Sequence, residues 1–209
     1  MDRRAALKNL TLSIGYAVAA PTLLNMLSSC TAEADTWMPV FFSEQEKKLV
    51  TQLVDIILPS SNLPGALDVN VPQFMDLMYK DVEIETNQKR FQNGARLFAE
   101  KFEKVFEKEI SKGTKEDVQK LFVTYFDLSE SEIKKVLKEQ RTPIDEISNV
   151  KMDSYLTYKF LFSVRYYALY GYYSSEKIGE EVLAYDPVPG RYLSCISLED
   201  ASGGKAWSL

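Results

Sequence analysis

Two tetrads have the Ser-x-x-Lys spacing, in which a lysine amine can take the proton of a serine nucleophile. They are Ser131-Glu132-Ile133-Lys134 and Ser174-Ser175-Glu176-Lys177. Neither is accompanied by the S-D-N or K-T-G motif that completes such an acyl-transfer site. Helix N-capping is the expected role of both serines. The acidic pairs Glu83/Glu85 and Glu180-Glu181 invite an acid–base reading, but solvated helix faces are the expected one. The chain contains no histidine. This removes Ser-His-Asp and Cys-His catalysis, His-ligated zinc, the Glu-x-x-His di-iron pattern and haem on a proximal His. The two cysteines, Cys30 and Cys195, form no CxxC pair. There is no GxGxxG and no P-loop to cradle a nucleotide. The expectation is a chain with no catalytic residue, no cofactor and no metal of its own.

The remaining chemistry is that of export and anchoring. Met1-Asp2-Arg3-Arg4-Ala5-Ala6-Leu7-Lys8 is basic, and a moderately apolar run follows from Leu10 to Leu27. This is the layout of an export leader. Arg3 and Arg4 resemble the twin-arginine signal, although Ala6 stands where a bulky residue is usual. Ordinary Sec export is the alternative. The apolar run ends in Leu27-Ser28-Ser29-Cys30, a lipobox-like pattern: a thiol to accept a diacylglyceryl group, with small neighbours that fit a signal peptidase. Acylated Cys30 would hold the mature chain on a membrane, each buried CH₂ contributing about 0.8 kcal/mol. A plain signal-peptide end and an uncleaved membrane helix are the other readings. Pro21 and the polar dilution of the run weigh against the helix. The expected layout is a signal peptide over 1–29, a tether over 30–42 and a folded domain over 43–209. The expected location is the bacterial cell envelope or periplasm, lipid-anchored.

The elements that follow are helical. The 209 residues are 45% apolar and 26% charged, an ordinary globular balance. A net charge of −5 disfavours nucleic acid as a partner. Ser43-Glu44-Gln45-Glu46 is a capping box, and Leu49, Val50, Leu53, Val54, Ile56 and Ile57 follow at helical spacing. Leu58-Pro59 stops that helix, and Pro72 fits the first turn of a short one carrying Phe74, Leu77 and Met78. Phe91, Ala95, Phe98, Phe102, Val105, Phe106 and Ile110 predict one long helical stretch from Val82 to Lys112, ended by Gly113. Further helices are expected over 114–126, after the Ser129/Glu132 capping box up to Pro143, and over 152–173. No segment alternates with period two. The fold class is therefore all-α, a single domain of about six or seven helices.

Two segments are left over by helix packing. One is the loop from Pro59 to Pro72. The other runs from Gly171 to Gly179 and is followed by Tyr185-Asp186-Pro187-Val188-Pro189-Gly190-Arg191-Tyr192. Nine of the 12 tyrosines lie between Tyr155 and Tyr192. Pro-Gly turns beside Tyr and Arg have the composition of an interface hot spot. A loop packed on its own domain is the alternative. If Cys30 is a thioether, Cys195 is an odd cysteine of an exported protein, free or bonded to a partner.

These segments resemble the gluconate 2-dehydrogenase subunit 3 family. The similar pieces are Asp55-Ile56-Ile57-Leu58-Pro59, Pro64-Gly65-Ala66-x-Asp68 with Val71-Pro72, and Gly171-Tyr172-Tyr173-Ser174-Ser175-Glu176. Tyr185-Asp186 through Pro189-Gly190-Arg191-Tyr192 and Cys195 complete the set. The resemblance runs from about Phe41 to Cys195 and across 82–150 is carried by helicity alone. It implies a non-catalytic small subunit beside a large flavoprotein of the glucose–methanol–choline oxidoreductase type. That partner would carry FAD and lack an export signal, and a multihaem cytochrome c would often accept the electrons. It implies a role in maturation and export of the large subunit, with Tyr185, Asp186, Pro189, Gly190, Arg191, Tyr192 and Cys195 as the candidate partner-binding residues. A stand-alone envelope lipoprotein that binds or scaffolds, and a His-free Ser/Lys hydrolase, are the competing readings.

Overall fold

A computed structural model describes residues 37–188, 190 and 194–208. The chain divides between Met38 and Pro39, and the fold below is that of the unit starting at Pro39. Arg3, Arg4 and Cys30 lie outside the described residues. Seven α-helices, three short 3₁₀ turns and two single-turn π-helices make up the described residues, with one isolated β-bridge.

Helix α1 (Glu44–Ile57) starts on the expected capping box. The Ser43 hydroxyl accepts the Glu46 amide at 3.3 Å, and the Glu46 carboxylate accepts the Ser43 amide at 2.8 Å. Both satisfy amides that a helix start otherwise leaves open. Leu49, Val50, Leu53 and Val54 are its buried face. Leu58 leaves helical dihedrals because Pro59 follows. Helix α2 (Val71–Leu77) carries Pro72 in its first turn and runs into a π-turn over Met78–Val82.

Helix α3 (Glu85–Phe106) buries Phe91, Gly94, Ala95, Phe98 and Phe102. It is shorter than the periodicity predicted. Glu107 turns left-handed (φ 52°) and ends it. Ile110 is buried as expected, but on a separate 3₁₀ turn, Ile110–Lys112, which packs against α1. Gly113 does not cap α3. It lies under the Phe102 ring, where a Cβ would come within 2.6 Å of Cζ. The chain thus doubles back beneath Phe102, which a straight helix to Lys112 could not do. Val105, assigned to the apolar stripe, is consequently half exposed.

Helices α4 (Lys115–Phe126) and α5 (Glu130–Arg141) each start on a capping box, Thr114/Asp117 and Ser129/Glu132. No residue of α5 is fully buried. Helix α6 (Asn149–Tyr173) is the centre of the unit and packs on α1, α2, α3 and α5, most extensively on α3. Gly94 permits that closeness, since a Cβ there would lie 2.4 Å from the Leu156 carbonyl oxygen. A cluster of rings fills the junction: Phe91 is centred 4.2 Å from Tyr79, 5.0 Å from Phe160 and 5.4 Å from Phe42. Helix α7 (Leu198–Ser202) is a short C-terminal turn.

The folded unit takes in part of the segment assigned to the tether. Asp76, on α2, is fully buried. Its carboxylate accepts the backbone amides of Val40 at 2.7 Å, Phe41 at 2.9 Å and Phe42 at 2.8 Å. A buried charge needs such donors to replace its water. The three bonds fasten the chain just before α1 onto α2 and seat Phe42 in the core.

Candidate partner-binding face

The two segments left over by helix packing meet at one end of the unit. In the first, the Asp68 carboxylate organises the loop, accepting the Gly65 amide at 2.6 Å and the Ser60 hydroxyl at 2.8 Å. Gly65 must be glycine, because a Cβ would come within 2.4 Å of the Ser60 nitrogen and 2.8 Å of the Pro59 carbonyl carbon. The Gly65 and Ser60 hydrogen bonds, with the Lys177 charge adding to them, hold the Asp68 carboxyl below the usual aspartate value. Lys177 belongs to the second segment.

One further link joins the segments, and another ties the second segment to α2. The Tyr172 hydroxyl donates to the Pro64 carbonyl at 2.7 Å. Gly171 lies against the Phe74 ring, and a Cβ there would fall 2.6 Å from Cδ1. Burial raises the Tyr172 pKa, with Tyr173 and Asp68 adding to the effect, so its proton stays in place as a donor. Several of the signature residues therefore build the shape of this end from within. Gly65, Ala66, Val71, Pro72, Gly171 and Tyr172 are buried.

What this scaffold presents is a row of tyrosines. Tyr166, Tyr170 and Tyr173 lie at helical spacing along α6 and are 61%, 45% and 43% exposed. Tyr166 and Tyr170 stack with centroids 6.1 Å apart, and Phe74 supports Tyr170 at 5.8 Å. The opposite face of the same helix buries Phe160, Leu161, Val164, Tyr167, Ala168 and Tyr172. Tyrosine offers broad contact at low entropic cost and keeps a polar tip for water until a partner arrives. The sequence reading singled out the tyrosine density but not this row. The available signal was that α6 carries aromatic residues on both of its faces.

The candidate partner-binding residues lie beyond the π-turn Ile178–Val182. Ala184 pairs with the C-terminal segment: its amide donates to the Ala206 carbonyl and its carbonyl accepts the Ser208 amide, both at 2.8 Å. Gly179 allows Ser208 to sit beside it. Tyr185 follows this bridge and is exposed. The Asp186 carboxylate accepts the Val188 amide at 3.2 Å, a local turn. Gly190 is exposed with open space where a Cβ would go. Cys195 is exposed with a free thiol and a left-handed backbone (φ 56°). Pro189, Arg191 and Tyr192 lie outside the described residues.

The serine tetrads are not N-caps. Ser129 caps α5 and Ser131 sits in its first turn, while Ser174 is at the C-terminal end of α6. Its hydroxyl donates to the Tyr170 carbonyl at 2.7 Å, a role set by the end of the helix and not by its beginning. Glu180 and Glu181 are exposed, and Glu85 pairs with Lys89 at 2.6 Å, as solvated faces would. Glu83 differs: it accepts the Tyr167 hydroxyl at 2.5 Å and the Asn87 amide at 2.7 Å. Among the described residues no group of His, Cys, Asp and Glu could hold a metal ion. No helix among them is long and apolar enough to cross a membrane.

The family model described as gluconate 2-dehydrogenase subunit 3 matches residues 44–190, well over half of the chain. The match spans both segments of this end, from the start of α1 to Gly190. No curated protein and no solved structure matches the chain.

Proposed function

This chain belongs to the gluconate 2-dehydrogenase subunit 3 family, and from that premise we propose that it is the non-catalytic small subunit of a membrane-associated dehydrogenase complex. Its partner is a large FAD-dependent flavoprotein of the glucose–methanol–choline type, which oxidises a sugar, sugar acid or polyol. This subunit supports maturation of that flavoprotein and carries it, folded, through twin-arginine export on Arg3 and Arg4. Cys30 anchors the pair to a membrane of the bacterial envelope, where a multihaem cytochrome c can take the electrons.

The observation that carries this reading is the exposed row of Tyr166, Tyr170 and Tyr173 on the end built by the family's signature segments. Three large aromatics held in a fixed row are costly to leave in water and valuable at an interface. Tyr185, Asp186, Gly190 and Cys195 extend from the same stretch of chain, with Pro189, Arg191 and Tyr192 completing the candidate contact. The exposed Cys195 thiol is available for a bond to the large subunit.

The test is purification of the native protein in detergent, followed by a flavin absorbance scan and gels with and without reductant. A flavoprotein should co-purify. Arg3→Lys with Arg4→Lys should strand both proteins and the dehydrogenase activity in the cytoplasm. If the flavoprotein reaches the envelope normally in cells lacking this chain, co-export is wrong. A monomer that brings no flavin down with it would favour the stand-alone lipoprotein.

A further inference from the structure

A second polar feature adjoins the tyrosine row, where Lys159 and Ser163 continue its stripe toward the start of α6. A cleft of about 170 Å³ opens between α3, α6 and the π-turn after α2, walled by Tyr79, Glu83, Asn87, Arg90, Lys159 and Ser163. Two cationic residues, Arg90 and Lys159, line it. The Arg90 Nε is buried and has no hydrogen-bond partner. A terminal nitrogen of Arg90 reaches the Asn87 side-chain oxygen only at 3.4 Å. The Lys159 ammonium donates to the Gln140 carbonyl at 2.8 Å and lies over the Tyr155 ring. Burial first, and then the Arg90 charge, push its pKa below the usual lysine value. Neither cation forms an ion pair among the described residues.

The one carboxylate at the cleft is already engaged. Glu83 accepts from Tyr167 and Asn87. The Tyr79 and Ser163 hydroxyls bond to each other across the wall. Three formal charges thus leave one positive charge in excess, beside a buried N–H without an acceptor. The two like charges repel each other, which favours an anion between them. An anion in the cleft would offset that excess charge. Size restricts what that anion can be. Pockets for drug-sized ligands measure about 300–1,000 Å³, so this cleft takes a group of a few heavy atoms and excludes a nucleotide or a flavin.

We propose that this cleft is a binding site for a small oxyanion, a carboxylate or a phosphate, held between the Arg90 guanidinium and the Lys159 ammonium with the Ser163 hydroxyl as a further donor. The planar guanidinium suits both oxyanions. This site uses none of the three tyrosines of the partner-binding row, and anion binding is read on this chain without the large subunit.

The test is calorimetric titration of the full chain in detergent with inorganic phosphate and, separately, with sodium acetate, at fixed ionic strength in chloride. Saturable binding at one site per chain is expected with at least one of them, and their ratio tells phosphate from carboxylate. Arg90→Gln and Lys159→Gln should each weaken binding at least about tenfold, the loss expected for one charge-assisted hydrogen bond. Lys159→Arg should retain it. A second measurement needs no variant: acylation of Lys159, followed by mass spectrometry, should slow when the bound anion is present. Absence of saturable binding by either anion overturns the proposal. So does binding that both Gln variants leave intact, or Lys159 acylation that proceeds at the same rate with the saturating anion.

Discussion

The Tyr172 hydroxyl donates to the Pro64 carbonyl at 2.7 Å, joining residues 108 positions apart. This bond ties the end of α6 to the loop after α1, so the row of exposed tyrosines is held by the same contact that closes the loop.

Removing that hydroxyl tests how much of the end depends on it. Tyr172→Phe keeps the ring and leaves the Pro64 carbonyl without its donor. It should cost about 1 kcal/mol, seen as a fall of about 2–4 °C in Tm for a chain of this size. Thermal melts followed by circular dichroism check it. An unchanged Tm would mean that water replaces the hydroxyl freely.

Asp76 should matter more, because three amides depend on one carboxylate. Asp76→Ala leaves those donors unpaired and should cost about 3 kcal/mol or more. Hydrogen exchange at the Val40, Phe41 and Phe42 amides should accelerate before that of the α6 core. Continued protection of the Phe42 amide in the variant would refute the clamp.

Acid should loosen the Pro59–Pro72 loop. The Asp68 carboxyl lies below its ordinary value of 3.8, first because of the Gly65 amide and then the Ser60 hydroxyl. A folded-state pKa lowered in this way stabilises fully above the unfolded value and loses its effect as pH falls through the folded one. The loop should therefore be intact at neutral pH and begin to loosen only below the ordinary aspartate value of 3.8. The Gly65 amide shift, followed by NMR from neutral to acid pH, reports it, and Asp68→Asn should abolish the pH-dependent shift.

Gly94→Ala should destabilise the unit even though alanine favours helix by about 1 kcal/mol. The added Cβ meets the Leu156 carbonyl oxygen at 2.4 Å and the Phe160 Cβ at 2.5 Å. Neither atom can yield without parting α3 from α6, and overpacking of this kind costs about 1–3 kcal/mol or more. Gly190→Ala, in open space, is the control and should shift stability by less than about 0.5 kcal/mol. Denaturant melts of both variants decide the matter, and equal midpoints would refute the close approach.

Tyr170→Ala should weaken capture of the large subunit while leaving this chain folded. Tyr170 is half exposed and rests on Phe74, so truncation removes contact area with little loss of core. A hot spot of this kind costs about 2 kcal/mol or more in binding. Co-purification from detergent-solubilised membranes reads the loss, against Val150→Ala on a distant exposed site. Full recovery of flavoprotein with Tyr170→Ala would move the interface elsewhere.

The helical class, the capping boxes at Ser43 and Ser129 and the buried stripes of α1 and α3 were legible in the residues themselves; the Thr114/Asp117 box was equally local but was not singled out. Caps and stripes are local: Ser43, Thr114 and Ser129 each find their partner three residues away, and period 3.6 is set by one helix alone. The family's signature segments were legible for the same reason, as short strings of Pro, Gly, Tyr and Asp. Other features depended on residues distant in sequence. The end of α3 at Phe106 follows from Gly113 folding under Phe102, and Ser174 closes a helix because α6 ends where it meets the loop. Asp76 looked like any helical acid until it was found enclosing the amides of Val40 to Phe42. The tyrosine row became a surface only when α6 buried its other aromatic face against α3. The cleft between Arg90 and Lys159 exists because two helices bring cations 69 positions apart in sequence to a single wall. Periodicity and capping are written within one turn of chain, whereas burial, charge pairing and close approach are settled by which helices pack together.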